Sequence, residues 1–427
     1  MTTSRTFVIG AGGTAGHVVP ALAVADALRD AGHRVVFVGG DREEQRLVPE
    51  AGYELRRISV EGFSRTNPLK AARAGGRAVG AVRAARRILR ELQPDAVMGG
   101  GGYVAGVVGA AAVSRRIPLV LTEADSHLGV SNRMLHSRAH RVCLGFPIAG
   151  RDEPTFLVTG RPVPPPFADH AGARARFGLD ERTPTVLVFG GSLGARSVNE
   201  AAVGGLTGLR APALDGSGET DVAVLHASGR RDFPDLAPRV RAAGGLAIDG
   251  DEATTVALED DRDGVSPKDV RVVAAGRTMD AGGTEVPVIA DAIPTDATAE
   301  NVERAATYAL YDYLSPLSPA LAACDLVVAR SGGSIAEVTA HGRPAVLVPY
   351  PHAAADHQTA NARWMADGGA AVVITDPDLT AEGLRDAVVG LLGDPTRLRT
   401  MAEASAALAR PDAARAIADE VLAAAGG

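Results

Sequence analysis

Short apolar runs alternate along the chain with longer stretches in which apolar positions recur at helical spacing. In the N-terminal half the runs are TFVIG, HRVVFVGG, PDAVMGG, PLVLTEA and HRVCLGF, separated by segments such as VVPALAVADALRDAG. Continuous apolar runs of this length are typical of strands buried on both faces of a parallel sheet, with amphipathic helices as crossovers. The pattern therefore predicts an α/β fold built from βαβ units.

The opening pattern recurs in the second half. Residues 185–203, TVLVFGGSLGARSVNEAAV, again combine an apolar run, a glycine turn and a helical segment, and DVAVLHASG, DLVVARSGG, PAVLVPYPH and AAVVI predict further strands. Between the halves lies TGRPVPPPFADH, whose prolines do not fit a central strand or a helix interior. We therefore predict two Rossmann-like domains, 1–165 and 180–427, joined by a linker near 160–184.

An acidic segment, 245–305, interrupts the second half. It contains LEDDRDG and two strand-like pieces, DVRVVAAG and EVPVIAD. We expect an insertion in the second domain, and both an added β-excursion and a mobile acidic loop fit this composition.

Composition and charge argue against some classes of protein. The chain has 427 residues, 46% of them hydrophobic, and a formal net charge of −7, which argues against a nucleic-acid-binding protein that relies on overall basicity.

Cys143 and Cys324 are far apart, without the spacing of a zinc site or a disulfide framework. We expect a reducing, cytoplasmic setting without a secretory signal, and we interpret the uncharged residues 96–114 as strand, glycine loop and helix.

A basic stretch stands out in this acidic chain. From Phe63 to Arg90 there are eight Lys or Arg residues and no Asp or Glu. A solvated helix face and an electrostatic contact with anionic lipid or phosphate both account for it.

Four glycine turns follow predicted strands and precede predicted helices: Gly10–Gly16, Gly99–Gly102, Gly190–Gly194 and RSGGSIAE at 330–337. Backbone N–H groups in such turns approach phosphates closely, and the helix behind adds partial positive charge. The first turn also loosely fits the dinucleotide fingerprint, but Asp41, the candidate ribose contact, comes late. Together the four turns predict a polyphosphate ligand.

His17 follows the first turn directly. In a dinucleotide site the pyrophosphate would occupy this space, whereas a histidine there can accept a proton from an attacking hydroxyl. The position therefore favours group transfer over hydride transfer.

The ordered segments GAGGTAGHVVPALAVADAL, MGGGGYVAG, GGSLGARSVNEA, ARSGGSIAEVTAHGRPAVLVPYPH and DHQTANA resemble the MurG-type glycosyltransferases, over most of 1–244 and 311–427. The resemblance implies the GT-B fold: two Rossmann-like domains facing a cleft, the first binding the acceptor and facing the membrane, the second binding UDP-sugar. It implies inverting, metal-independent transfer of N-acetylglucosamine from UDP-N-acetylglucosamine to the muramyl sugar of lipid I, an undecaprenyl-pyrophosphate-linked muramyl peptide. The product would be lipid II, made for peptidoglycan synthesis at the cytoplasmic face of the plasma membrane, peripherally attached to its anionic surface, with no cofactor and no nucleic acid.

The resemblance also implies roles for individual residues. His17 is the candidate general base, and the acceptor diphosphate would bind Gly100, Gly101, Gly102 and Tyr103. The UDP-sugar would be bound by Thr14, Ala15, Gly16, Asp125, Arg161, Ser192, Leu314, Gly333, Ser334, Glu337, Asp356 and Gln358.

Four departures from the family pattern bear on these roles. Asp125 stands where the family motif HEQN has asparagine, and Pro164 stands where GNPVR has arginine, so Arg161 is expected to substitute. RSGGSIAE is one residue shorter than the family pattern, and the acidic insertion precedes Leu314. Another GT-B UDP-sugar transferase, a UDP-sugar epimerase, a non-catalytic UDP-sugar-binding protein and an NAD-dependent oxidoreductase remain alternatives.

Overall fold

The computed structural model describes residues 4–59, 68–152, 154–191, 194–249, 276–279, 285–288 and 307–426. The chain forms two compact units. The N-terminal unit comprises Met1–Pro164 and Arg410–Gly427, and the C-terminal unit comprises Pro165–Ala409. Each contains a parallel sheet, as the sequence predicts, and each of the two sheets has seven strands.

The N-terminal unit has the strand order β3-β2-β1-β4-β5-β6-β7, which is that of a Rossmann sheet with one further strand. Its strands are β1 (Thr6–Gly10), β2 (Arg34–Gly39), β3 (Glu54–Arg57), β4 (Ala96–Gly99), β5 (Leu119–Glu123), β6 (Arg141–Leu144) and β7 (Phe156–Val158). The helices between them are α1 (Ala15–Asp30), α2 (Glu44–Glu50), α3 (Pro68–Leu92), α4 (Gly102–Ser114) and α5 (Val130–Leu135).

The C-terminal unit has the main sheet order β12-β15-β11-β8-β16-β17-β18 and two antiparallel pairs, β9-β10 and β13-β14. Its strands are β8 (Thr185–Phe189), β9 (Arg210–Pro212), β10 (Glu219–Asp221), β11 (Ala223–Ala227), β12 (Leu246–Ile248), β13 (Gly276–Met279), β14 (Glu285–Val288), β15 (Tyr308–Tyr311), β16 (Leu326–Ala329), β17 (Ala345–Leu347) and β18 (Ala371–Val373). Its helices are α6 (His170–Arg176), α7 (Arg196–Leu206), α8 (Phe233–Ala242), α9 (Ser318–Ala323), α10 (Ile335–Ala340), α11 (His357–Asp367), α12 (Ala381–Leu392) and α13 (Pro395–Leu408).

The central strands of the N-terminal sheet, such as β1 and β4, are buried on both faces, which explains their continuous apolar sequences. On β1, Phe7 and Ile9 belong to the core under α1, whereas Val8 belongs to the core under α3 and α4. Successive side chains of a strand point to opposite faces, so a strand covered on both sides needs apolar residues at every position.

The last helix, α14 (Ala413–Ala424), belongs to the N-terminal unit. Ile417, Ala418 and Val421 are buried in the same core as Phe7 and Ile9. The predicted second domain, 180–427, is therefore wrong for residues 410–427. The amphipathic pattern of this helix predicts an apolar face but does not say which sheet that face covers.

The predicted linker, 160–184, is also wrong in part, because α6 lies inside it. Asp169 caps this helix by accepting a hydrogen bond from the Gly172 N–H at 2.8 Å, and the buried Arg174 donates to the carbonyl oxygens of Asp180 and Thr183. Most of the acidic insertion, 245–305, lies outside the described residues, apart from 245–249 and the pair β13-β14.

The uncharged stretch 96–114 forms β4, a glycine turn and α4, as predicted. Among the residues that the structure describes, no helix is long and apolar enough to cross a membrane.

Candidate active site

The described glycine turns lie between a parallel strand and the helix that follows it. In the N-terminal unit β1 leads through Gly10–Gly13 into α1, and the neighbouring β4 leads through Gly100 and Gly101 into α4. The two turns are joined by a hydrogen bond of 2.9 Å from the Gly100 N–H to the Gly10 carbonyl oxygen. Ligands of open α/β sheets bind outside the carboxyl ends of the strands, so these two turns form the candidate site of this unit.

His17 lies in the first turn of α1, which begins after Thr14. Its Nδ1 lies 3.2 Å from Thr14 Oγ1, and within the described part of the chain its Nε2 has no hydrogen-bond partner. When Nδ1 donates to the threonine hydroxyl, the lone pair of the neutral ring is on Nε2. That nitrogen can then accept a proton from a substrate.

The surroundings of His17 keep its imidazole neutral. Burial is the largest cause of a lowered pKa, and the positive charge of Arg161 lowers it further, while the negative charge of Asp125 acts in the opposite direction. A base must be unprotonated to act, so a lowered pKa extends its working range towards acidic pH.

The second glycine turn packs directly against the His17 ring. A Cβ on Gly101 would lie 2.6 Å from His17 Cδ2, and one on Gly102 would lie 2.4 Å from the Gly12 carbonyl oxygen. Both glycines have positive φ, of 99° and 73°, a region that side chains disfavour. Glycine is thus required here by close approach as well as by backbone conformation. The next residue, Tyr103, is half-buried, and burial raises the pKa of its phenol.

Arg161 lies in the segment after β7, and its side chain reaches the first glycine turn. Its guanidinium donates to the Gly16 carbonyl oxygen at 2.8 Å and to the Ala124 carbonyl oxygen at 3.3 Å. The residue expected to replace the missing arginine therefore contacts the residues that directly precede His17 and Asp125 in the chain. The structure also places Thr14, Ala15 and Gly16, all exposed, at this turn.

Glu123, which precedes Asp125 by two residues, is held by an internal network. Its Oε2 accepts hydrogen bonds from the Gly129 N–H at 2.7 Å and from Asn132 Nδ2 at 2.9 Å. Burial raises the pKa of this carboxyl, and the two donors oppose that effect. The network fixes the start of the loop that carries Asp125.

The C-terminal unit brings together a second group of predicted residues. Gly333 and Ser334 form the turn from β16 into α10, and Glu337 lies in the first turn of that helix. Gln358 Oε1 accepts a hydrogen bond from the Tyr350 N–H at 2.9 Å, and its Nε2 would lie 3.6 Å from a Cβ on Gly332. The Gln358 amide thus lies beside Gly332, which belongs to the same turn as Gly333.

The other predicted residues of this unit are in different surroundings. Asp356 is exposed, with φ of 53°, and accepts a hydrogen bond from Thr359 Oγ1 at 2.6 Å. The side chain of Leu314 is buried, with 6% exposed, after β15. Ser192 lies outside the described residues, between Gly191 and Gly194 of the turn from β8 to α7.

Two family models match the chain. The glycosyltransferase family 28 N-terminal domain matches residues 7–144, and the glycosyltransferase family 28 C-terminal domain matches residues 291–417. A relative from Moorella thermoacetica is 36% identical over 97% of this chain and 98% of its own length, and it is named as a UDP-N-acetylglucosamine–N-acetylmuramyl-(pentapeptide) pyrophosphoryl-undecaprenol N-acetylglucosamine transferase. This chain belongs to glycosyltransferase family 28, in its MurG group.

Another relative supports this assignment, and a solved structure shares the fold. A protein of the same name from Halorhodospira halophila is 36% identical over 96% of this chain and 95% of its own length. The crystal structure of Acinetobacter baumannii MurG shares the fold, with a TM-score of 0.66 at 24% identity, over 99% of this chain and all of that one. The predicted family, the α/β fold class with two Rossmann-like sheets and the glycosyltransferase class are confirmed.

Two side chains that brace the turns of this family 28 member were missed at the sequence level. Glu44, on α2, accepts hydrogen bonds from the Gly13 and Gly40 N–H groups. Arg330, 7% exposed, donates to the carbonyl oxygens of Val348 and Pro349, each at 3.1 Å, and lies 2.5 Å from Asp376. The burial of Glu44 can be predicted, because Glu44 lies four residues before the apolar Val48 and therefore on the same face of α2. The burial of Arg330 depends on contacts with segments that follow other strands, and no local sequence pattern predicts it.

Proposed function

We propose that this chain transfers N-acetylglucosamine from UDP-N-acetylglucosamine to the muramyl sugar of lipid I and so forms lipid II for peptidoglycan synthesis. The names of the full-length relatives support these substrates. The observation that carries the chemistry is the position of His17, neutral by burial, with Nε2 unpaired among the described residues, beside two glycine turns.

The proposed reaction is a direct displacement. The oxygen of an acceptor hydroxyl attacks the anomeric carbon while the bond from that carbon to the UDP oxygen breaks, which inverts the anomeric configuration. The hydroxyl proton passes to Nε2 of His17, and the electron pair of the broken bond leaves with UDP. A positioned general base of this kind contributes a factor of about 10² to 10⁴ in rate.

The remaining proposed roles follow the two units. In the N-terminal unit the backbone of Gly100–Gly102 and Tyr103 would bind the acceptor diphosphate, and Thr14–Gly16 and Asp125 would contact the donor sugar. Arg161 carries a positive charge at the first turn and would face the leaving diphosphate. Charge grows on that group as the bond breaks, so a fixed donor there stabilises the transition state.

In the C-terminal unit the proposed donor contacts lie around the turn into α10. Ser192, Gly333 and Ser334 would bind the UDP diphosphate, and Glu337 the ribose. Asp356 and Gln358 would bind sugar hydroxyls, because a carboxylate accepts and an amide both accepts and donates hydrogen bonds. Leu314 would contact uracil through its backbone.

The reaction is tested by measuring UDP release from UDP-N-acetylglucosamine by the purified chain, with and without a short-chain lipid I analogue, and with UDP-glucose as a competing donor. We expect release that requires the analogue and prefers the N-acetyl sugar. Release without the analogue would favour an epimerase or a different acceptor, and UDP binding without turnover would favour a non-catalytic protein.

We also propose that α3 attaches the chain to an anionic membrane surface. Arg83, Arg86, Arg87 and Arg90 are exposed and follow one another at helical spacings of three, one and three residues, so they form one stripe on this helix. The opposite side, including Ala85 and Leu89, is buried in the core. Each basic side chain near an anionic surface contributes about 1 kcal/mol of attraction. The rest of the basic stretch, 63–78, has no described side chains.

Attachment is tested with a variant in which Arg83, Arg86, Arg87 and Arg90 are replaced by Gln. We expect weaker binding to vesicles that contain phosphatidylglycerol. With a water-soluble acceptor analogue, UDP release by the variant should equal that of the wild-type protein. The matched control replaces four exposed arginines elsewhere, Arg363, Arg397, Arg399 and Arg415, and removes the same charge. Equal loss of vesicle binding in both variants would reject α3 as the attachment surface.

A further inference from the structure

Glu44 is a buried carboxylate to which the proposed reaction gives no role. It is the first residue of α2 and 1% exposed, whereas its neighbours Glu43 and Gln45 are exposed. No Lys, Arg or His among the described residues forms an ion pair with it. A carboxylate rarely occupies such a place without a partner that compensates for its lost hydration.

Two backbone N–H groups provide that compensation. Oε2 accepts a hydrogen bond from Gly13 and Oε1 accepts one from Gly40, both at 2.8 Å. Gly13 belongs to the turn between β1 and α1, and Gly40 follows β2. One side chain therefore joins the loops of two neighbouring strands.

Gly12 and Gly39 leave the space that the Glu44 side chain occupies. A Cβ on Gly12 would lie 2.6 Å from Glu44 Oε1, and a Cβ on Gly39 would lie 2.8 Å from Glu44 Cγ. Gly13, in contrast, has open space for a Cβ but a φ of 108°. The first turn thus needs Gly12 for the carboxylate and Gly13 for its backbone conformation.

The first glycine turn positions residues of the candidate active site. Thr14 follows Gly13 directly and His17 comes four residues after it, and the Gly12 carbonyl oxygen lies close to Gly102 of the second glycine turn. A displacement of Gly12 and Gly13 would therefore reach both the His17 ring and the second turn. A misplacement of about 1 Å in such a site can reduce the rate by a factor of about 10².

We propose that Glu44 is a positioning residue that holds the first glycine turn, and with it His17, in the geometry required for sugar transfer. This inference rests on the proposed function only for its effect on rate. The bracing itself is a property of the two hydrogen bonds and can be measured independently.

The test compares Glu44→Gln with Glu43→Gln, a neighbouring exposed glutamate whose contact is a surface ion pair with Arg46 at 3.6 Å. The amide of Glu44→Gln keeps one acceptor and sets an NH₂ group against a backbone N–H. We expect kcat for lipid-dependent UDP release to fall by about 10-fold to 100-fold in Glu44→Gln, with the inhibition constant of UDP unchanged. In Glu44→Gln, amide hydrogen exchange should become faster in peptides covering residues 10–17. Glu43→Gln should match the wild-type protein in kcat, in the inhibition constant of UDP and in hydrogen exchange.

Glu44→Asp provides a second variant if Glu44→Gln does not fold. It keeps the charge but is one methylene shorter, so it should show a smaller loss of kcat and faster exchange at the same residues. Unchanged exchange at 10–17 in a folded variant, or faster exchange with unchanged kcat, would overturn the proposal. If the unchanged chain shows no lipid-dependent UDP release, the proposed function fails, while the exchange comparison still decides whether Glu44 braces the turn.

Discussion

His17 in the N-terminal unit and His226 in the C-terminal unit are both held neutral by burial, yet their surroundings differ. His17 is half-buried beside two glycine turns, with charged neighbours of both signs. His226 on β11 is fully buried, with its Nδ1 2.8 Å from Tyr308 Oη and its Nε2 3.0 Å from Asn199 Oδ1. Burial lowers the pKa of His226 to about 3.

The difference shows that a lowered pKa does not by itself identify an active-site histidine. His226 uses both ring nitrogens inside the fold: Nε2 donates to the side-chain amide oxygen Oδ1 of Asn199, so Nδ1 accepts from the Tyr308 hydroxyl. His17 has one nitrogen without a partner among the described residues and lies at the carboxyl ends of the strands. Access and an available lone pair, in addition to the pKa, separate the candidate base from a structural histidine.

The largest expected effect comes from His17→Ala, which removes the candidate base. We expect kcat to fall by about 10²-fold or more, with UDP affinity little changed, because the acceptor hydroxyl loses its proton acceptor. Steady-state UDP release and UDP inhibition measure the two quantities. His170→Ala, at an exposed position on α6, is the control, and full activity in His17→Ala would reject the general-base role.

For His226 the expected effect is on stability. The unfolded histidine binds a proton below a pH of about 6.5, whereas the folded one does so only near pH 3, so the unfolded state binds more protons between these values. The stabilisation is therefore fully present above about pH 6.5 and declines as the pH falls. Between pH 6.5 and 5 the free energy of unfolding should fall by about 2 kcal/mol more than in His226→Gln. Urea unfolding at the two pH values measures this, and equal losses in both proteins would contradict the neutral buried state.

Gly101→Ala should reduce kcat by about 10-fold or more, because its Cβ would lie 2.6 Å from His17 Cδ2 and displace the ring. Gly32→Ala is the matched control, since Gly32 has a similar φ of 87° but no atom within 4 Å of a Cβ. Both variants should lose stability through positive φ, and only Gly101→Ala should lose activity in the folded protein. Similar kcat values in the two variants would mean that the ring tolerates the contact.

The smallest expected effect is a shift of the pH profile by the two charges near His17. Arg161 lowers the pKa of His17, so Arg161→Gln should raise it and move the acid limb of kcat/KM to higher pH. Asp125 raises that pKa, so Asp125→Asn should move the same limb to lower pH. Profiles of kcat/KM for the two variants measure both shifts, and movement in the same direction would exclude His17 as the titrating group.

Much of the fold could be predicted because local pattern and sheet position coincide. The apolar runs that became β1, β4, β8 and β16 are buried on both faces, and each leads into a glycine turn. Short or partly exposed strands such as β3, with the sequence ELRR, carry no such pattern and were missed. The roles assigned to the site residues stay predictions, and their spatial grouping was predictable only where a motif places several of them in one turn.

The sequence by itself determined the α/β class, the family and the turn that carries His17, because these depend on residues adjacent in the chain and on a periodicity that burial imposes. Only the tertiary structure decided which sheet α14 covers, that Arg161 meets the carbonyl oxygen of Gly16, and that Glu44 joins the loops after β1 and β2. These contacts join residues far apart in sequence or on separate strands. They arise from packing, and a hydrophobic pattern specifies that a face is buried but not which partner covers it.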